Sequence, residues 1–177
     1  MSDPESFRRV LQKILARGGE YADVFLEQRE TAFIHLENGC IEKAVSGVDS
    51  GAGLRLISEG RTSYAFANDF SEASLNGLAG TLSGAFGKTA ACPVNALRNE
   101  IPSACFTVRT APGGVSMDRK VDLVKRANLA ARSFDERIKQ VSVGYRDSTQ
   151  KVRIATSEGS IAEEERIYTL FTVHVIV

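Results

Sequence analysis

The apolar positions of the first forty residues follow two different periods. Between Asp3 and Gly18, apolar side chains recur with the three- and four-residue spacing of a helix, and charged side chains fill the opposite face. Asp3 can cap this helix, Pro4 suits its first position and Gly18 suits its end. From Tyr21 the spacing changes to the alternation of a strand. The pattern therefore predicts an amphipathic N-terminal helix followed by a sheet.

Turn signals divide the next residues into an antiparallel meander. Asn38-Gly39 has the composition of a type I′ hairpin turn, in which both central residues take positive φ, and Glu59-Gly60 predicts the next turn. Glycines at 47, 51 and 53 predict a bend or bulge in the strand between these turns. Ser71 predicts the start of a second helix, and Gly87 its end. The apolar stripe of this second helix, which we expect to be buried, comprises Leu75, Leu78, Ala79, Leu82 and Phe86.

A second helix and sheet follow a segment rich in proline. Three of the four prolines lie within residues 90–114, which we interpret as a linker. A helix is predicted from Ser116 to Phe134, and its apolar side comprises Val121, Val124, Ala127, Ala131 and Phe134. Alternating strands follow, with a turn at Ser157-Glu158-Gly159. We expect an N-terminal α+β domain over 1–89 and a second α+β subdomain over 115–177, truncated at its C-terminal end. The predicted fold class is α+β, a curved antiparallel β-sheet meander flanked by helices, with two helix-plus-sheet subunits in sequence.

The final segment, from Ile167 to Val177, is almost continuously apolar. An unfinished apolar strand needs a pairing partner, because an exposed edge of this kind promotes aggregation. Either this strand is central in the sheet or the natural polypeptide continues. We favour continuation.

Composition narrows the function classes. Lys plus Arg equals Asp plus Glu at 22 each, so the formal net charge is zero, which does not favour binding to nucleic acid. The N-terminus carries acids where a signal peptide carries positive charge, and no apolar run reaches the roughly 20 residues that span a bilayer. Cys40, Cys92 and Cys105 form no C-x-x-C pair, which is typical of reduced thiols. These features predict a cytoplasmic protein.

Candidate metal ligands are sparse. The two histidines, His35 and His174, belong to no H-E-x-x-H spacing. His35 and Glu37 lie on one face of a predicted strand and could supply two ligands, but nothing marks a third. We therefore favour a strand histidine beside a solvated glutamate.

Other motifs give no catalytic assignment. The sequence from Gly84 to Thr89 resembles part of a phosphate-binding loop, but Leu82 stands where that pattern needs glycine, and the segment closes a helix. The acidic run Glu163-Glu164-Glu165 alternates faces along a strand, which favours a solvated edge over a cation site. The sequence also lacks the G-x-S-x-G motif of serine hydrolases.

Several blocks together carry a family resemblance. Glu37-Asn38-Gly39 is followed by S-G-V-D-S-G-A-G-L-R at residues 46–55 and by N-D-F-S-E at residues 68–72. These blocks resemble the first domain of the TldD/PmbA family, once labelled modulators of DNA gyrase, and residues 46–55 resemble its TldD branch. The sequence from Ala155 to Gly159 resembles the family's second block. The matched positions, expected to shape the sheet, are Ser46, Gly47, Asp49, Gly51, Gly53, Arg55, Asn68 and Asp69.

The resemblance implies a cytosolic zinc metallopeptidase that works as a homodimer or as a pair of paralogous subunits. The family's zinc site uses an H-E-x-x-x-H helix beyond the region matched here, and this sequence lacks that motif. We therefore assign no catalytic, cofactor-binding or metal-binding residue to this chain and expect zinc only in the full-length parent.

Three functional interpretations remain open. The first is the non-catalytic N-terminal part of such a peptidase, which provides dimer contacts and part of the channel for its peptide substrate, with an exposed strand edge holding extended peptide. The second is a stand-alone protein-interaction module without peptidase activity. The third is an enzyme that combines His35 and Glu37 with a ligand from elsewhere.

Overall fold

The computed structural model describes residues 3–87, 90–100 and 108–177, without the side chains of Asn99 and Glu100. Within these residues three α-helices and six strands are formed, and the strands make one sheet in the order β3-β2-β1-β5-β6-β4. In chain order the elements are α1 (Pro4–Ile14), β1 (Tyr21–Glu37), β2 (Cys40–Ser58), β3 (Arg61–Ala67), α2 (Glu72–Ser83), β4 (Arg98–Glu100), α3 (Met117–Arg132), β5 (Gln140–Thr156) and β6 (Ser160–Ile176).

The fold class is α+β, and the predicted curved antiparallel meander flanked by helices is confirmed. Its five long strands, β1, β2, β3, β5 and β6, form the antiparallel part. The short strand β4 pairs in parallel with the first residues of β6.

Contacts divide the chain into two compact units, each built from three segments. The first unit comprises Met1–Gln28, Asp49–Ala104 and Lys151–Glu165. The second comprises Arg29–Val48, Cys105–Gln150 and Arg166–Val177. The long strands β1, β2, β5 and β6 each contribute residues to both units. Whether residues 1–89 and 115–177 form domains joined by a linker over 90–114 stays a prediction.

The first unit has a core of two helices and the sheet. Asp3 caps α1 by accepting a hydrogen bond from the Glu5 amide at 3.2 Å, and Ser71 caps α2 by accepting one from the Ser74 amide at 3.3 Å. Both helix starts were predicted from these residues. The predicted α1 stripe is buried, whereas the α2 stripe is buried only in part, since Leu78 and Phe86 are half-buried. The core includes Leu11, Ile14, Val24, Leu54, Leu56, Leu75 and Leu82.

The hairpin turns form where the sequence predicts them. Asn38 and Gly39 have φ angles of 49° and 85°, and Glu59 and Gly60 have 51° and 71°, which are the positive values of a type I′ turn. The turn at 157–159 is also confirmed, with a φ of 105° at Gly159. Between the first two turns, β2 runs as one strand through the glycines at 47, 51 and 53.

Two helix ends differ from prediction. Helix α2 ends at Ser83 with Gly84 as its C-cap, three residues before the predicted stop at Gly87, because the earlier glycine already disfavours a further turn. Helix α3 ends at Arg132 rather than Phe134, and Phe134 is 87% exposed instead of buried. The buried face of α3 also differs, since it contains Lys120 and Asn128 as well as Val124. Lys88, Thr89 and Cys105 lie outside the described residues.

Candidate functional site

His35 and Glu37 do not build a metal centre with the described residues. His35 Nε2 lies 3.8 Å from Glu37 Oε2, and Gln140 Nε2 donates a hydrogen bond to Glu37 Oε1 at 2.6 Å. Within the described ranges, no group of three or more His, Cys, Asp or Glu side chains could hold a metal ion. A zinc site needs at least three protein ligands, so these residues do not fit one. His174 is exposed on β6.

The family-like residue Arg55 belongs to a polar cluster on the first unit's sheet. Its Nε donates a hydrogen bond to Asp23 Oδ2 at 2.7 Å, and its guanidinium lies 5.6 Å from the centre of the Tyr21 ring. The Asp23 carboxylate raises the pKa of Arg55 further, while burial, together with the charge of Asp23, raises the pKa of Tyr21. Because Asp23 is buried, the ion pair compensates its charge and ties β1 to β2.

Two matched glycines allow close approach between strands. A Cβ at Gly53 would lie 2.0 Å from the Tyr64 hydroxyl oxygen, and a Cβ at Gly51 would lie 3.0 Å from the Ala67 carbonyl oxygen. The Tyr64 ring therefore covers β2 only because residue 53 has no side chain. Ser46, Gly47 and Asp49 are exposed on β2. Among the described residues, no atom lies within 4 Å of a Cβ placed at position 47.

Asp69 organises the start of α2, next to the exposed Asn68. One Asp69 carboxylate oxygen accepts from the Ser71 amide at 2.7 Å, and the other accepts from the Ser74 hydroxyl at 2.9 Å. These hydrogen bonds lower the pKa of Asp69. The matched residues thus lie in strand packing, one ion pair and one helix start. That they shape the sheet stays a prediction for the family.

The polar cluster of the second unit was missed by the sequence analysis. Lys120 Nζ lies 2.6 Å from Asp147 Oδ2, and their side chains are 7% and 5% exposed. The Tyr145 hydroxyl donates to the same oxygen at 2.6 Å. Burial, and then the hydrogen bond to Asp147, raises the pKa of Tyr145 well above its usual range. The available signal was a lysine four residues before Val124, at a position whose helical spacing predicts burial.

Lys120 and Asp147 line a pocket of about 400 Å³ in the second unit. Thr149, Gly113 and the matched residues Ser46 and Gly47 also line it. A close, buried ion pair in a pocket occurs in structural networks as well as in active sites. The cluster therefore carries no catalytic assignment.

Acidic residues line a separate pocket of the first unit. The acidic run at 163–165 is exposed, as predicted, and Arg153 forms an ion pair with Glu163. Together with Leu26, Phe70 and Lys151, these residues line a pocket of about 570 Å³. The paired cation lowers the tendency of Glu163 to bind a metal ion.

The most distinctive surface of the second unit lies on β6. The side chains of Leu170 and Ile176 are 59% and 55% exposed. The backbone of β6 stays hydrogen-bonded to its end, where the Lys139 amide donates to the Ile176 carbonyl oxygen. Among the described residues, the strand beyond β6 is β4, and its register ends at Ala162. The later part of β6 is therefore not a central strand in the described structure. We call the set Leu170, Phe171, Val173, Val175 and Ile176 the β6 apolar surface.

Large exposed apolar patches usually mark interaction surfaces. The β6 apolar surface lies within residues 170–176, where Thr172 and His174 interrupt it, and alternate residues point to opposite faces of the sheet. Its location agrees with the sequence analysis, which singled out Ile167 to Val177 as a strand in need of a partner. In the described parts of the chain, no helix has both the length and the apolar character needed to cross a membrane.

Family models cover much of the chain. Residues 22–85 match the model described as PmbA/TldA metallopeptidase domain 1, and residues 111–177 match the PmbA/TldA metallopeptidase central domain. Curated relatives include a metalloprotease TldD homolog from Haemophilus influenzae, 25% identical over 91% of this chain, and one from Buchnera aphidicola (strain Sg), 24% identical over 89%. The chain spans about a third of their length, 34% and 33% respectively.

Solved structures share the fold. A Thermotoga maritima protein named for modulation of DNA gyrase aligns with a TM-score of 0.72 and 17% identity, over 94% of this chain and 38% of its own. TldE from Thermococcus kodakarensis aligns with a TM-score of 0.66 and 11% identity, over 96% of this chain and 42% of its own. At these identities the likeness concerns the fold alone.

Proposed function

This chain belongs to the TldD/PmbA family, and from that premise we propose that it is the non-catalytic N-terminal part of a TldD/PmbA-type zinc metallopeptidase. In this role it provides dimer contacts and part of the channel through which peptide reaches the catalytic centre. The curated relatives are named metalloproteases, which supports a proteolytic parent.

The β6 apolar surface is the observation that carries the proposal. Burying side chains of this size contributes about 25 cal/mol for each Å² removed from water, so a partner that covers them gains stability. The strand is 17 residues long, and in the described structure its part beyond Ala162 pairs only with β5. That part exposes apolar side chains on both faces. These properties support a role in subunit contact, either in a homodimer or in a paralogous heterodimer. They also suit an edge that holds extended peptide by strand addition.

Zinc belongs, in this proposal, to residues that lie beyond the matched region. The described residues offer His35 and Glu37 as an isolated pair, and a hydrolytic zinc ion needs three protein ligands with one open position. We accordingly place peptide cleavage elsewhere in the parent. We also propose that the parent acts in the cytoplasm.

Leu170→Asp tests the proposed dimer contact in the full 177-residue chain. Sedimentation equilibrium should show that the unaltered chain dimerises and that the variant dimerises at least tenfold more weakly, which corresponds to about 1.4 kcal/mol. The loss is expected because a carboxylate would have to be dehydrated inside an apolar interface.

Phe66→Asp is the matched control, since Phe66 is an apolar residue on β3 in the other unit and is 71% exposed, against 59% for Leu170. It should leave dimerisation unchanged. If the unaltered chain stays monomeric, or if both variants behave alike, dimer contacts do not lie on the β6 apolar surface.

A stand-alone interaction module is the alternative function, and it would use the same surface. The gene beyond the codon for Val177 separates the two proposals. An H-E-x-x-x-H sequence downstream supports the peptidase, whereas an immediate stop codon supports the module.

A further inference from the structure

A basic groove lies on the second unit's sheet, on strands β1, β5 and β6. Its volume is about 380 Å³. The side chains that line it are cationic, aromatic or neutral and hydrogen-bonding. They belong to Arg29, Thr31, Ala32, Phe33, Arg146, Ser148, Gln150 and Tyr168.

The charges in the groove have one sign. Arg29 and Arg146 line it and are exposed, and among the described lining residues no carboxylate is present. This is unusual for a chain with equal numbers of acidic and basic residues. A local excess of positive charge in a concave surface attracts anions, because the walls reduce the screening by water.

Phe33 forms the apolar centre of the charged region. The Arg146 guanidinium carbon lies 6.0 Å from the centre of its ring, and Lys43 Nζ lies 5.9 Å from it. Cations near an aromatic ring are attracted to its face, but two cations at one ring also repel each other. An anion that enters the groove relieves this repulsion. Tyr168 adds a second aromatic side chain, 64% exposed.

We propose that the basic groove binds an acidic peptide segment. The fork of Arg146, which lines the groove, suits a carboxylate through two parallel hydrogen bonds. Ser148 and Thr31 offer hydroxyl groups to the peptide backbone, and Phe33 and Tyr168 pack against its aliphatic parts.

Peptide fits this groove better than nucleic acid does. A nucleic-acid site normally extends over many phosphates and gives the chain a basic excess, whereas this chain has zero formal net charge. The positive charge of Arg146, with Lys43 near the same Phe33 ring, matches carboxylate side chains of a short segment. The inference therefore adds a preference for acidic segments, which the proposed peptidase scaffold does not require.

The test uses fluorescein-labelled hexaglutamate and the full chain, with binding followed by fluorescence anisotropy. Arg146→Gln should weaken binding by about tenfold, since it removes a charge-assisted pair and keeps a polar side chain of similar length. Ser148→Glu should weaken it at least as much, because it places a carboxylate inside the groove. Arg119→Gln is the control, because Arg119 is exposed on α3 and does not line the groove.

Specificity comes from two further probes, a labelled hexalysine and a six-nucleotide oligothymidylate. Binding of hexaglutamate that depends on Arg146 and exceeds binding of both probes supports the proposal. Equal affinity for oligothymidylate, no measurable hexaglutamate binding, or equal effects of Arg146→Gln and Arg119→Gln would each overturn it.

Discussion

Lys120 and Asp147 are individually costly to bury, and each is tolerated only beside the other. An unpaired charge in a protein interior loses several kcal/mol of hydration, whereas a close ion pair recovers part of this energy. The 2.6 Å distance between Lys120 Nζ and Asp147 Oδ2, and the hydrogen bond from Tyr145, supply that compensation. The three residues therefore join α3 to β5.

Lys120→Met should lower the free energy of unfolding by about 3 kcal/mol, because the variant leaves the Asp147 carboxylate buried without its cation. Urea unfolding of the full chain, followed by circular dichroism, measures this loss. Lys125→Met provides the control, since Lys125 is exposed on the same helix, and it should change stability by less than about 0.5 kcal/mol.

The double variant Lys120→Met with Asp147→Leu separates lost pairing from lost packing. It should recover more than half of the stability, since neither buried charge remains. Equal losses in the single and double variants would show that the ion pair does not determine the effect.

Residue-scale roles were predictable only where the sequence carries a local signal. The composition of Asn38-Gly39 predicts its turn, and Ser71 predicts a helix start. Lys120 has the helical spacing of a buried residue, but this spacing alone does not distinguish a buried lysine from a solvated one. Its partner, Asp147, lies on the distant strand β5. The ion pair between Arg55 and Asp23 was not predicted for the same reason, because the two residues are 32 positions apart in the sequence.

Secondary-structure elements were predicted best at their starts. N-caps and type I′ turns depend on side chains within a few residues, so α1, α2 and the hairpins form as expected. Helix ends were less predictable, since Gly84 and Gly87 are both plausible stops by composition. The length of β5, which continues for 17 residues, depends on neighbouring strands rather than on its own residues.

A side chain at Gly159, in the turn between β5 and β6, should destabilise the protein. This residue has a φ of 105°, and a Cβ there would lie 2.8 Å from the Ala96 carbonyl oxygen. Residues 95–98 dock on this turn through hydrogen bonds, which include one from the Arg98 amide to the Gly159 carbonyl oxygen at 2.7 Å. We expect Gly159→Ala to cost about 2 kcal/mol or more, because strain and the steric clash add.

Gly60→Ala is the matched control for Gly159→Ala. Gly60 also has a positive φ, 71°, but no atom of the described part of the chain lies within 4 Å of a Cβ placed there. The cost should be about 1 kcal/mol, from backbone strain alone. Thermal and urea unfolding of both variants would measure the two losses of stability. Equal losses for Gly159→Ala and Gly60→Ala would mean that the contact with Ala96 relaxes without cost.

At the scale of the whole molecule, the α+β class followed from the sequence, but the arrangement of segments did not. The alternation of helical and strand periods identifies the class because it depends only on local patterns. That β1, β2, β5 and β6 each serve two compact units depends on pairings between residues more than a hundred positions apart, such as the bond from the Asn38 amide to the Val141 carbonyl. The spacing of apolar residues along the sequence does not predict such long-range pairings.

The balance of charge and the β6 apolar surface together predict how the chain behaves in solution. Its isoelectric point is about 6.7, and near that pH no net repulsion opposes association through exposed apolar residues. We expect a solubility minimum near pH 6.7. Leu170→Lys should raise solubility there much more than Gln12→Lys, which adds the same charge on the exposed face of α1. Precipitation assays across pH would measure both; equal gains would assign the effect to net charge alone and remove β6 from the explanation.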